Sequence, residues 1–368
     1  MIVVDEDYMK RIVFFISNFN SPGGTERVTA TVSNALNSLD FEVHILSIVQ
    51  DENDFFYSVQ PNVIVSNLGF PPNSSKKNFL KICSELRKYL LINKINNLII
   101  VDSLCASFTF FATRLLNINV ICWEHFNLEF KDKSILRSLG RFLASLFCNR
   151  IVTLTEMDQR DWEKKYQYSR NKVSVIPNPI AFDVRPKEFN QEKFIALSIG
   201  RLSPEKGFDD LITIWADFIQ YNQDAVLNII GSGTEEKELL ALAKKYNLTE
   251  KNLNFLSSTK DVGRFYQEAT VYLMSSHSEG LPMVLLEAQA FGVPIITFEC
   301  GHGVNKIVKN SYNGYLVKNR DEKIFCQKLV NYMNLPDEML NILSKNSNTV
   351  ASDYEIGKIR ELWVELLK

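Results

Sequence analysis

Several features are missing from this sequence, and each absence narrows what the chain can be. No uninterrupted apolar run reaches about 18 residues, the length a helix needs to cross a bilayer, so no membrane-spanning helix is expected. No excess of positive charge exists: 41 Lys and Arg face 43 Asp and Glu, a formal charge of −2, so no global basic field points to nucleic acid. No CxxC pair occurs among the six cysteines Cys83, Cys105, Cys122, Cys148, Cys300 and Cys326. Scattered through mostly apolar stretches, they read as reduced core thiols of a cytoplasmic protein rather than as disulfides. The start lacks the basic n-region of a signal peptide, because Asp5-Glu6-Asp7 places acid there. That acidic triplet precedes the first strand, so it reads as a frayed tail and not as a metal-binding DxD. Short repeats and low-complexity tracts are absent too.

What is present is an ordinary globular balance, with 46% apolar and 23% charged residues over 368 positions, enough for two domains. Apolar, β-prone runs at residues 11–16, 41–46, 98–101, 120–123 and 150–155 alternate with helical stretches, which implies a parallel, doubly wound sheet. Residues 173–180 leave this domain through a linker stiffened by Pro177 and Pro179. The pattern restarts at residues 194–199, with further strands at 227–230, 253–256, 269–274 and 294–298. The last sixteen residues, 353–368, form an amphipathic helix with Ile356, Ile359, Leu362, Trp363, Leu366 and Leu367 on its apolar side.

The chain is organised around residues 275–288. Here a polar turn carrying Glu279 and Gly280 joins the 269–274 strand to a helix over residues 282–291, with Leu281 before it and Pro282 near its first turn, that Gly292 and Pro294 close. A helix N-terminus at the carboxyl end of a sheet offers free N–H groups, at Met283 and Val284, and a dipole suited to phosphate. Glu287 lies about one and a half turns further on, where a carboxylate can pair with hydroxyls such as those of a ribose. Alone, Glu279 would read as a loop charge and Glu287 as an exposed helix charge. A second loop, Gly200-Arg201-Leu202-Ser203-Pro204-Glu205-Lys206-Gly207, follows another strand and sets two cations at its end. Guanidinium suits bidentate phosphate contact, and ammonium acts as a point charge. Gly231-Ser232-Gly233 copies half a dinucleotide fingerprint, but the third glycine and the downstream acid are missing, so a nicotinamide site is not expected.

Two glutamates eight residues apart around Gly-Leu-Pro, together with Gly-Arg-Leu-x-x-x-Lys-Gly, resemble the signatures of the retaining family-4 glycosyltransferases. The resemblance spans nearly the whole chain and is strongest over residues 194–318. It implies the GT-B fold: two Rossmann-like, doubly wound domains facing a central cleft. Residues 1–180 would form the acceptor-side domain, residues 181–352 the nucleotide-sugar domain, and the 353–368 helix would pack back on the first. The resemblance implies that Arg201 and Lys206 hold the donor diphosphate, with Gly200, Gly231 and Gly233 lining the nucleotide. Glu279 would orient sugar hydroxyls, with Gly280 through Val284 at the phosphates and Glu287 at the ribose. Gly23-Gly24-Thr25-Glu26-Arg27 fits the family's Gly-Gly-x-x-Arg loop at the donor phosphates. His125, at a strand's carboxyl end, would lie near the transferred sugar, although a lone histidine is more often structural. Ser257 and Ser258 stand where the family commonly has glycine, which puts the base contact there in question.

The co-substrate so implied is a nucleotide-sugar, UDP-sugar ahead of GDP-sugar, with no cofactor and no metal. The acceptor is a glycan or a lipid-linked glycan of bacterial capsule, O-antigen or lipopolysaccharide assembly, at the cytoplasmic face of the plasma membrane. A nucleotide-sugar epimerase and a non-catalytic nucleotide-sugar-binding protein remain as alternatives. Residues 131–150 pair the cations Lys131, Lys133, Arg137, Arg141 and Arg150 with Ile135, Leu136, Leu139, Phe142, Leu143 and Leu146. This stretch reads either as a helix packed on its own sheet or as a basic face touching an anionic membrane or an acidic acceptor.

Overall fold

The structure is a computed structural model that describes residues 10–37, 41–50, 55–128, 135–189 and 193–368. The Asp5-Glu6-Asp7 tail, Lys131 and Lys133 lie outside the described residues. The chain divides into two compact units, Met1–Pro179 with Ile356–Lys368, and Ile180–Glu355.

In the first unit the elements run β1 (Lys10–Ile16), α1 (Gly24–Asn37), β2 (Phe41–Val49), β3 (Ile64–Phe70), α2 (Phe79–Ile92), β4 (Asn97–Val101), α3 (Ala106–Thr113), β5 (Asn119–Trp123), α4 (Ile135–Phe147), β6 (Arg150–Thr153), α5 (Glu156–Lys165) and β7 (Val173–Val175). All seven strands are parallel, in the order β3-β2-β1-β4-β5-β6-β7. Central strands of such a sheet are covered on both faces, so they are continuously apolar: β4, Asn-Leu-Ile-Ile-Val, is buried throughout. The edge strand β3 is half exposed along its length, and for that reason it shows no comparable apolar run.

The second unit carries β8 (Ile195–Ile199), α6 (Phe208–Phe218), β9 (Val226–Ile230), α7 (Glu236–Lys245), β10 (Leu253–Leu256), α8 (Gly263–Glu268), β11 (Val271–Met274), α9 (Met283–Ala290), β12 (Ile295–Phe298), α10 (His302–Ile307), β13 (Gly314–Val317), α11 (Glu322–Met333) and α12 (Asp337–Ala351). Its six parallel strands are ordered β10-β9-β8-β11-β12-β13. The core joins Leu227, Ile229, Leu273, Ile296 and Phe298 of the sheet to Trp215, Phe218, Phe325 and Leu329 of the helices. Strand order reverses between β8 and β11, so the two loops leaving their carboxyl ends flank the switch point of the sheet. Those loops are residues 200–207 and 275–282, the two stretches singled out by their charges.

The last helix, α13 (Ile356–Leu367), belongs to the first unit, where it packs on α1. Its Trp363 is fully buried, with its ring 4.9 Å from Trp123 and 6.4 Å from Phe14. Truncating such an aromatic costs about 3–5 kcal/mol, so α13 is part of this unit's core.

Candidate active site

The two loops at the β8/β11 switch meet through their side chains. Lys206 Nζ donates to Glu279 Oε1 at 2.7 Å. Backbone bonds fix the same approach: His277 N–H donates to Glu205 O at 2.8 Å, and the Ser275 hydroxyl to Lys206 O at 3.2 Å. Gly207 makes this possible. Its φ of +60° is left-handed, and a Cβ there would stand 2.5 Å from Ser275 O, so no other residue closes the loop without displacing backbone.

Charge at the site is set by these neighbours. Burial alone would depress the Lys206 ammonium, but Glu279 first and then Glu205 more than offset it, and its pKa is raised. Glu205 is held below the usual carboxylate range: the Ser203 hydroxyl, Lys206 and Arg201 together outweigh its burial. Arg201 itself is exposed at the mouth of the loop. Pro282, extended at φ −70° and ψ 112°, ends the turn, and α9 begins at Met283 with no side-chain cap on its first N–H groups.

Glu287 is placed differently from Glu279. It is wholly buried on α9, and its Oε2 accepts at 2.9 Å from the hydroxyl of Tyr266, whose ring stacks with those of Phe291 and Tyr272. The glycines of the 231–233 turn serve the neighbouring loop: a Cβ at Gly231 would lie 1.9 Å from Gly200 O, and one at Gly233 2.1 Å from Leu202 O. Backbone against backbone is what they permit, with Gly200 N–H on Ile230 O and Leu202 N–H on Ser232 O, each at 3.0 Å. Ser258, in the loop where glycine is usual, lies 3.3 Å from the Ser232 hydroxyl.

Arg320 was not flagged by the sequence, yet it holds the site together. From the turn after β13 it donates to Ser275 O and Ser276 O, each at 2.9 Å, pairs with Asp210 at the start of α6, and lies 4.6 Å over the Phe298 ring. Its backbone is left-handed, φ 51°, following Asn319 at φ 56°. Two consecutive non-glycine residues in that region cost of the order of 1 kcal/mol each, offset here by the contacts of the guanidinium.

In the first unit, Gly23 and Gly24 form the turn into α1, with Arg27 N–H on Gly23 O at 3.2 Å. His125 follows β5, its ring 4.5 Å from the Trp123 ring at a tilt of 47°, and is almost fully enclosed. Burial first, and Arg137 second, push its pKa down to about 4 against the opposing pull of Glu124, so the imidazole is neutral at physiological pH. Arg137 and Arg141 do not take part in a cationic outer face of residues 131–150. Both are buried on the inner side of α4: Arg141 Nε meets Glu124 Oε2 at 2.9 Å, and Arg137 meets Asp102 at 3.1 Å. Arg141 also donates to Phe126 O and Asn127 O at 3.1 Å, so α4 clamps the segment that carries His125. Two carboxylates at the carboxyl ends of β4 and β5 draw the arginines inward, because an unpaired buried carboxylate costs more than an ordered guanidinium.

Solved structures share this architecture. TarM from S. aureus, in a complex with fondaparinux, α-GlcNAc-glycerol and UDP, matches with a TM-score of 0.83 at 14% identity over 97% of this chain and 99% of its own. HepE from Anabaena, with UDP and glucose, matches with a TM-score of 0.79 at 17% identity over 98% of this chain and 99% of its own. The fold is therefore GT-B. The model for glycosyl transferases group 1 matches residues 180–350, and that for Glycosyltransferase Family 4 matches residues 22–184. An uncharacterized glycosyltransferase of Haemophilus influenzae is 36% identical over 98% of this chain and 100% of its own length. An amylovoran biosynthesis glycosyltransferase, AmsD, of Erwinia amylovora is 26% identical over 98% and 100%. A Campylobacter jejuni α-1,4-N-acetyl-D-galactosaminyltransferase, named for an undecaprenol-diphosphate-linked acceptor, is 28% identical over 98% and 98%. The chain belongs to the family-4 glycosyltransferases.

Proposed function

We propose that this chain transfers a sugar, with retention of configuration, from a UDP-sugar to a lipid-linked glycan acceptor in bacterial surface-polysaccharide assembly. The observation that carries it is the meeting of Lys206 with Glu279 across the two loops at one sheet switch point, with Arg201 exposed in the first loop and α9 beginning at the end of the second. When the bond between the sugar's anomeric carbon and the diphosphate breaks, negative charge grows on the leaving oxygens. Arg201, Lys206 and the N–H groups of Met283 and Val284 stabilise it where it forms, with Gly280, Leu281 and Pro282 shaping the turn. Glu279, oriented by Lys206, takes the hydroxyls of the donor sugar. Glu287 takes the ribose, with Tyr266 fixing its carboxylate; because Glu287 is buried, this contact requires the adjoining turn to open toward the donor. The acceptor oxygen bonds the anomeric carbon on the face the diphosphate leaves, and its proton passes to a departing phosphate oxygen.

Roles near the phosphates for Gly23 and Gly24, and near the transferred sugar for His125, belong to the same proposal. A neutral, enclosed imidazole suits a hydrogen bond to sugar better than general-base chemistry. UDP as carrier is supported by the UDP found with TarM and HepE, and the lipid-linked acceptor by the name of the Campylobacter relative. That lipid-linked acceptor would place the enzyme at the inner face of the plasma membrane. Thermal-shift screening of UDP- and GDP-sugars, followed by product analysis with and without lipid-linked acceptors, tests the reading. Stabilisation by a UDP-sugar and an α-linked product are expected from an α-linked donor. An isomerised donor formed without acceptor would indicate an epimerase, and tight donor binding without turnover on any acceptor would indicate a binding protein.

A further inference from the structure

Because Arg137 and Arg141 turn inward, α4 is an inverted amphipathic helix: its charges face the sheet and its apolar residues face out. Ile135 is 83% exposed, and Leu139, Phe142 and Leu146 follow it on one helical face, each more than two-fifths exposed. The surface continues through Phe111 of α3, which packs beside α4, and the 94% exposed Leu115 just after it. Exposed apolar groups gathered this way mark an interaction surface rather than ordinary scatter. Neither α3 nor α4 contains a single carboxylate. Among the described residues, exposed cations adjoin the face: Lys81 on α2, Arg114 beside Leu115, and Arg150 just beyond α4. Lys172 adds to them, its Nζ 3.4 Å from Leu146 O at the helix end. On α2, the one carboxylate, Glu85, is bonded to Lys88 at 2.7 Å.

We infer that this α3–α4 face docks on an anionic lipid bilayer. A bilayer supplies both complements at once, hydrocarbon for the apolar stripe and headgroup phosphate for the cationic rim. A second copy of the chain supplies the first but opposes the second, since two such faces meeting would set these cations against one another. The inference rests on the proposal that the acceptor is lipid-linked, and it names the surface that brings the enzyme to that acceptor. It also replaces a membrane contact made by Arg137 and Arg141, which the buried ion pairs exclude.

The test is co-sedimentation of the full chain with phosphatidylglycerol–phosphatidylethanolamine vesicles and with phosphatidylcholine vesicles, without donor or acceptor. The wild type is expected to pellet with the anionic vesicles and to be partly released by salt. Leu139→Ser with Phe142→Ser, both on the exposed face, should weaken partitioning by about tenfold or more while leaving the melting temperature and UDP binding unchanged. Arg114→Ser with Arg150→Ser should weaken it on anionic vesicles alone and reduce the salt dependence. Equal pelleting of wild type and the apolar double variant overturns the inference. So does a wild-type dimer that the same variant dissolves while neither protein binds vesicles. A chain that partitions but binds no nucleotide-sugar contradicts the proposed function and leaves the docking surface standing; a chain that binds UDP-sugar and ignores vesicles does the reverse.

Discussion

Lys206 Nζ sits 2.7 Å from Glu279 Oε1, joining the loop after β8 to the loop after β11 by a single charge-assisted bond. This pair brings a cation for a leaving diphosphate and a carboxylate for a sugar to one point at the switch of the sheet. Each partner also sets the other's position, so the two are not independent. Lys206→Ala should lower kcat by about a hundredfold or more, and Glu279→Gln should do likewise. The double variant should lose much less than the product of the two, which steady-state kinetics of the four proteins will show. Strict multiplicativity would mean that the pair does not act as a unit.

Arg320 holds Ser275 and Ser276 from below, and its effect on turnover is indirect. Arg320→Ala should keep the fold, lower kcat/KM for the donor by about tenfold, and raise KM more than it lowers kcat, because the loop loses its fixed position. Lys in its place cannot reach two carbonyls and Asp210 with one planar group, so Arg320→Lys should fail to restore activity. Arg320→Gly relieves the left-handed backbone and loses the contacts; a melting temperature near wild type together with impaired donor KM would separate the two contributions.

His125 has an acid signature. Its folded pKa of about 4 lies below the ordinary histidine value of 6.5, so between those limits the unfolded chain binds a proton that the folded chain refuses. Stability from this residue is therefore complete above pH 6.5 and lost as the pH falls toward 4, by roughly 3 kcal/mol at most, taking about 1.4 kcal/mol per pH unit. Urea unfolding midpoints of wild type should drop more steeply from pH 6.5 to pH 4.5 than those of His125→Gln. Parallel profiles would show that the imidazole is not enclosed as described.

Much of this molecule was legible in the sequence because its central strands are parallel and covered on both faces. Leu98-Ile99-Ile100-Val101 and Val271-Tyr272-Leu273-Met274 carry no polar residue that could blur them, and the charged turns stand out at their ends. Strand β3 did not announce itself, since its edge position leaves alternate residues half solvated. The helical period of α4 separated its arginines from its leucines but could not say which set faces inward. That was decided by Asp102 and Glu124, which lie 35 and 17 residues before their partners. Arg320 carries no motif at all; its role comes from a left-handed turn and contacts 44 and 45 residues away in the chain.

Isothermal titration of UDP into wild type, Arg201→Ala and Lys206→Ala measures the diphosphate site directly, apart from acceptor and chemistry. The account predicts that the wild type binds UDP and that each variant, folded and melting near wild type, binds it at least about tenfold more weakly, as expected for a lost charge-assisted contact of about 1.5–3 kcal/mol. UDP affinity unchanged in both folded variants would contradict it.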